Sequence, residues 1–330
     1  MTAARLVLGL VGACLLVGLI VEIGPGAVVA SFTALSWRLL VLVWFPFVAI
    51  LMLDTLGWQF AFRDPTVSFR SLLLIRMAGE AINTTTPTAS LGGEGVKAWL
   101  LRPQVSLQEG LASVIIAKTT ITIAQALLLL VGIVVAWPYL PDTSTLTRVM
   151  IWLLVLEVLA VGGFVVAQVT GGATAVGRLL GRVKLLRAGG LTRHLAQTDQ
   201  ALRDFYQERP GRLALSILFH FLGWALGAVE VYLVLRCLGV PISLTTALVI
   251  EAFGTGVRFA SFMVPAHLGA LEGGYVMTFA ALGLGSPLGL TFGLVRRVRE
   301  LAWTILGFLV LVGLGAPVVT PPLLPADRQG

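Results

Sequence analysis

"PTASLGGEGVK", residues 87–97, breaks a chain that is otherwise almost continuously apolar. Proline and glycine interrupt helices, and a glutamate and a lysine are costly in hydrocarbon. Backbone that leaves the helix at membrane depth survives only inside protein or beside a polar cavity, because lipid offers it no hydrogen bonds. A second stretch, "PAHLGALEGGY" at 265–275, repeats the pattern. Pro87, Glu94 and Gly95 map onto Pro265, Glu272 and Gly273 at one constant offset along the chain. Lys118 maps onto Arg296 at the same offset.

The composition fits a membrane solvent. The 330 residues are 57% hydrophobic and 12% charged, with a mean hydropathy of +0.95. Soluble domains carry about 25% charged residues. The formal charge of +7 reads as basic loops beside anionic lipid head groups; no nucleic-acid motif accompanies it, so nucleic acid is not an expected partner. Cys14 and Cys237 lie in apolar runs, and His194, His220 and His267 are scattered. Neither a disulfide framework nor a metal site has the spacing it needs, and no cofactor is implied. "GGEGVK" lacks the ending of a phosphate-binding P-loop, and no nucleophile–histidine–acid order stands out.

Apolar runs predict spans near 5–23, 37–60, 110–136, 148–170, 212–238 and 288–316. The first, behind Arg5, is longer than a signal-peptide core and reads as a retained helix. Regions 68–104 and 244–286 are apolar but interrupted, as re-entrant hairpins or as double crossings. The fold class expected is an all-α polytopic membrane protein with about six full spans plus these two hairpins, in one membrane domain over 1–330. Segment 173–211 carries seven cations against three carboxylates, a net +4, and is assigned to the cytoplasm as a solvated basic linker. Loop 137–147 has no Lys or Arg and belongs outside; Arg38 and Arg148 run against this topology. The same topology sends 37–60 and 212–238 in opposite directions. The halves at about 37–136 and 212–316 therefore read as an inverted repeat, whose substrate sites lie near the midplane on interrupted helices.

Ionisable residues inside such spans cost about 2.5–3.5 kcal/mol each at a helix centre and are functional by default. Those selected as candidate substrate contacts are Lys118, Glu80, Asn83, Glu94, Glu251, Arg258, Glu272, Arg296, Arg297, Arg299 and Glu300. Arg76, Glu80 and Asn83 share one helical face, ahead of Thr84, Thr85 and Thr86, which serve either a ligand or their own helix end. Glu251 and Arg258, seven apart, read equally as a structural ion pair or as substrate contacts. In "LVRRVREL" (294–301) Arg296 and Arg299 share a face and Arg297 points elsewhere. Arginine keeps its charge and matches phosphate geometry, so this run suggests an anionic head-group site, with Glu300 holding an arginine in place. Glu94 and Glu272 have three roles open: pairing with Lys118 and Arg296, countering a helix dipole, or taking up protons. Helix N-termini after the glycines of 92–95 and 269–274 would add positive dipole ends. Glu157 and Glu230 suit a snorkelling place near the interface, and Asp54 reads as an interfacial anchor.

The stretches "GEAINTTTPTASLGGEGVKAWLL" (79–101), "LGWALGAVEVYLVLRCLGVPIS" (222–243), "FMVPAHLGALEGGY" (262–275) and "LVRRVREL" together resemble the flippase-like family typified by the transmembrane region of lysylphosphatidylglycerol synthase, closest to its hopanoid-associated HpnL-type branch. The resemblance covers about 37–316 and implies lipid translocation in a bacterial inner membrane, without a cofactor. The lysyl-transferring domain is not expected after 316, so synthase activity is not inherited. His267 stands where that branch suggests a small residue. The leading expectation is a transporter for a polar- or anionic-headed lipid, such as a hopanoid or aminoacyl-phospholipid. Arg296, Arg297, Arg299 and Lys118 would hold the head group, and Glu80, Glu94, Glu251 and Glu272 would supply counter-charge. Two rivals stay open. One is a polyprenyl-phosphate-dependent membrane enzyme with Glu80 or Glu94 as base. The other is a non-catalytic scaffold for lipid-biosynthesis enzymes. Membrane lipids are the expected partners, and a homodimer is one arrangement open to the chain.

Overall fold

The computed structural model describes residues 38–64, 67–86, 92–138, 145–172, 174–175 and 189–314, with isolated positions 17, 21 and 26. Pro87, most of the apolar segment 5–23 and the cations Arg178, Arg182, Lys184 and Arg187 lie outside the described residues. Among the described residues every regular element is helical. In chain order they are α1 (Arg38–Phe60), α2 (Phe69–Thr85), α3 (Gly92–Leu100), α4 (Leu107–Ala136), α5 (Thr145–Thr170), α6 (Gly189–Glu208), α7 (Pro210–Cys237), α8 (Leu244–Ala260), α9 (Ala270–Ala281) and α10 (Ser286–Gly313), with a 3-10 turn at Pro265–His267.

Three of these, α4, α5 and α7, are long and apolar enough to cross a membrane. Helix α10 has the length, at 28 residues, but carries Arg296, Arg297, Arg299 and Glu300 near its middle. The apolar part of α1 runs over Trp44–Phe60. The two interrupted regions each resolve into a 17-residue helix followed by a shorter one. At 1.5 Å per residue, α3 and α9 are about 14 and 18 Å long, well short of the roughly 30 Å hydrocarbon layer. Neither crosses alone.

The offset that relates Glu94 to Glu272 carries α1–α4 to 216–238, 247–263, 270–278 and 285–314, overlapping α7, α8, α9 and α10 in turn. Packing follows the same correspondence. Helix α1 lies along α7, α2 lies on α10, and α8 lies on α4. The offset relates α2 to α8 and α4 to α10, so the α2–α10 and α4–α8 contacts are counterparts.

Local chemistry fixes the ends. Ser68, Ser106 and Ser243 cap α2, α4 and α8, their hydroxyls accepting from Ser71, Glu109 and Thr246 N–H at 3.3, 3.3 and 3.0 Å; such caps are worth about 1 kcal/mol. At the far end of α2, Thr84, Thr85 and Thr86 donate to the carbonyls of Glu80, Ala81 and Ile82 at 2.9, 2.8 and 2.6 Å. These hydroxyls satisfy their own helix, although Thr84 and Thr86 also reach the central cavity. Helices α2 and α3 approach closely through two glycines, because a Cβ at Gly93 would overlap the Gly79 backbone carbonyl and one at Gly79 would meet the Lys97 stem.

One apolar cluster joins α1–α4 to α6 through Trp58, Phe62, Leu72, Leu101, Ile116 and Phe205. A second joins α7–α10 through Val231, Leu235, Ile250, Tyr275, Phe279 and Phe292. The segment expected as a solvated linker is partly structural. Its helix α6 buries Leu202 and Phe205, and Tyr206 Oη donates to Gln168 Oε1 at 2.7 Å. Burial pushes the Tyr206 hydroxyl pKa up. Arg63–Glu208 at 2.6 Å and Arg209–Asp64 at 3.3 Å tie the C-terminal end of α6 to the turn after α1.

Candidate functional site

A cavity of about 410 Å³ lies among α1–α4, α7, α8, the 262–267 turn and α10. Its lining includes six carboxylates, Asp54, Glu80, Glu94, Glu230, Glu251 and Glu300, and six cations, Arg76, Lys97, Lys118, Arg258, Arg296 and Arg299. The charges balance. Of the eleven residues selected from sequence, nine line this one chamber; Arg297 and Glu272 stand behind the wall.

On the α1–α4 side, Arg76 Nη2 meets Asp54 Oδ2 at 2.9 Å. Lys97 Nζ donates to Glu80 at 2.6 Å and to both Glu94 oxygens at 3.1 Å, beneath the Trp58 ring. Asn83 joins two elements: its Nδ2 donates to Glu94 Oε1 at 3.0 Å and its Oδ1 accepts from Gly93 N–H at 2.8 Å. Glu80 and Lys118 differ from these. The Glu80 side chain is 45% exposed. Lys118 is half-buried in the wall, and its ammonium makes no hydrogen bond or ion pair among the described residues.

On the α7–α10 side each of the four arginines is paired with a carboxylate, although the buried Nε of Arg296 and of Arg299 has no hydrogen-bond partner among the described residues. Arg296 pairs with Glu251 at 2.5 Å and Glu230 at 3.3 Å, donates to Tyr275 Oη at 2.7 Å, and lies 5.0 Å from the Phe292 centroid. Arg299 bonds Glu230 and covers Phe47. Arg297 holds Glu272 at 2.6 Å, Glu300 at 2.8 Å and the Ala266 carbonyl at 2.6 Å. Arg258 meets Glu300 at 3.3 Å. Ala266 and His267 have φ of 52° and 53°, a left-handed conformation that costs side-chain-bearing residues about 1–2 kcal/mol. The Arg297 bond and the 3.0 Å contact of His267 Nδ1 with Ser261 Oγ brace this turn.

Several expected pairings are replaced by others. Glu251 and Arg258 do not pair with each other; each reaches across to α10. Glu94 pairs with Lys97 rather than Lys118, and Glu272 with Arg297 rather than Arg296. At the helix starts at 92 and 270 some N–H groups are already taken: Asn83 Oδ1 accepts from Gly93 N–H at 2.8 Å, and Glu272 accepts from the N–H of the capping Gly269 at 2.8 Å. Glu230 is not interfacial: it is 2% exposed and bridges two arginines. Asp54 is part of the cavity wall. Lys97, Arg76 and Tyr275 are not among the residues selected from sequence. Lys97 had a legible signal, since it lies three residues after Glu94 and faces it on a helix. Tyr275 had none.

A helical chain whose apolar helices enclose a charge-balanced polar chamber is a membrane protein with an internal polar cavity. The family model described as lysylphosphatidylglycerol synthase TM region matches residues 4–308, and the chain belongs to that family. Two relatives, both described as UPF0104 membrane proteins of Methanothermobacter thermautotrophicus, are 27% identical over 308 residues (88% of this chain, 90% of the relative) and 25% identical over 290 residues (81% and 80%). No solved structure matches the chain. Family membership gives the chain a membrane, lipid-related role.

Proposed function

We propose that this protein is a multi-pass transporter of the bacterial inner membrane that moves a lipid head group through the central cavity without altering it chemically. The observation that carries this reading is the pair of charges left most open to the chamber: Lys118, whose ammonium makes no hydrogen bond or ion pair among the described residues, and Glu80, which takes one bond from Lys97 yet keeps 45% of its side chain exposed. A head group bearing both an anion and an amine fits such a wall better than a purely anionic one, because the wall has no net charge to offer. This favours an aminoacyl-phospholipid over a simple anionic lipid. The volume of about 410 Å³ lies in the range of small-ligand pockets. The arginines of α10 act as the frame, neutralising buried carboxylates, and Lys118 and Glu80 act as the contacts.

The constant offset between the two sets of helices and the paired contacts α2–α10 and α4–α8 support an inverted repeat, and alternating access by rocking of the two halves follows from that architecture. The test is flux of fluorescent phospholipids with neutral, anionic and amine-bearing head groups in proteoliposomes. Lys118→Ala is expected to cut flux about tenfold, the loss of roughly one charge-assisted hydrogen bond. Flux equal to that of empty liposomes for every head group, from folded protein, overturns transport. Unchanged flux in Lys118→Ala overturns the head-group site.

A further inference from the structure

Helix α5 is mostly exposed apolar surface, with Trp152, Leu159 and Val166 facing outward. Its buried stripe runs through Leu146, Met150 and Glu157 toward Gln168, with Leu153 partly buried beside it. Glu157 is 0% exposed and stands at the centre of the 26-residue helix. Both of its carboxylate oxygens are buried, and neither has a hydrogen-bond partner among the described residues. It is not in the cavity wall. An ionised carboxylate left so, at mid-membrane, is strongly disfavoured; the group takes a proton instead.

Among the described residues, the elements packed on α5 supply no counter-charge. On α4, Lys118 faces the cavity. On α8, Glu251 and Arg258 are bound to Arg296 and Glu300. On α9, Glu272 and Tyr275 are held by Arg297 and Arg296. From α6, Tyr206 and Arg203 reach Gln168 and the Val169 carbonyl, at the end of α5 and not its middle. One turn before Glu157, Leu153 seats on Gly256 of α8, where an added Cβ would stand 3.5 Å from the Leu153 Cβ.

We propose that Glu157 is a proton-binding site, a neutral carboxylic acid while α5 is packed on α4 and α8, which exchanges its proton only when α5 parts from α8. Movement of α5 is then linked to one proton, independently of what the cavity carries. The probe is the proton itself, followed by infrared difference spectroscopy of the full chain in liposomes over a neutral-to-alkaline titration. The parent is expected to show the carbonyl stretch of a protonated acid at neutral pH, and both Glu157→Gln and Glu157→Leu are expected to lack it. A parent without that band, or variants that keep it, overturns the site. The Glu157→Leu chain, which removes a lone polar group, guards against a folding artefact because it is expected to melt no lower than the parent.

The mechanical part is tested by a disulfide. In a background with Cys14 and Cys237 replaced by serine, Leu153→Cys with Gly256→Cys has the Cβ separation a disulfide requires, about 3.5–4.5 Å. Oxidised, it is expected to hold the acid band through the alkaline titration, and reduced, to release it. Loss of the band at the same pH in both forms overturns the link to α5 movement.

Discussion

At the scale of single residues, the wall is a set of charges that are tolerable only together. Arg296 is shared by Glu230, Glu251 and Tyr275. Removing one partner of a buried pair strands the other and costs about 3–5 kcal/mol, whereas removing both can be neutral. Arg296→Leu is therefore expected to lower thermal stability in detergent sharply, and Glu251→Gln added to it to restore part of the loss. A double variant no better than the single one contradicts the pairing. Lys118 is the opposite case. Since the Lys118 ammonium makes no hydrogen bond or ion pair among the described residues, Lys118→Ala strands no bonded partner there and is expected to leave the melting temperature within a degree or two of the parent. Sequence pointed to most of these residues, because an ion in an apolar run stands out. It did not reveal their partners. Glu251 and Arg258 share a helical face, yet each bonds α10, since the stronger opposing charge lies across the interface and not along the helix.

At the scale of elements, the short helices depend on their neighbours. Helix α3 has only nine residues, too few to be stable alone; it is held by the Asn83 bond, the Lys97 bridges and the approach of Gly93 to α2. Gly93→Ala is expected to destabilise the protein, because its Cβ would overlap the Gly79 carbonyl, whereas Gly95→Ala meets open space and is expected to be neutral or stabilising by up to about 1 kcal/mol. Equal melting temperatures for the two variants contradict the close contact. Helix α6 reads as polar linker by composition, and its role shows only through Phe205, which is 1% exposed within the core of the first four helices. Phe205→Ala is expected to cost about 3–5 kcal/mol, read as earlier unfolding and as faster proteolysis between α5 and α7. A merely solvated linker would show neither.

At the scale of the whole molecule, the chamber exists because the two sets of helices each bring half of its wall. Water access to it is testable. In the serine background, Lys118→Cys is expected to react with a membrane-impermeant thiol reagent in liposomes, and Glu157→Cys to react far more slowly. An inert Lys118→Cys would mean that the chamber is closed to water.

By itself, the sequence determined the solvent, the helical class, the two broken regions and the correspondence between them. Apolar length, proline, glycine and misplaced ions are local properties, and hydrocarbon penalises them one residue at a time. Only the tertiary structure decided which carboxylate faces which cation, that α10 supplies the counter-charges of Glu230, Glu251 and Arg258, and that Lys118 and Glu157 make no ion pair among the described residues. Those outcomes depend on distances between helices far apart in the chain, and charge pairing in a low-dielectric interior falls to whichever opposite charge the packing brings within about 3 Å.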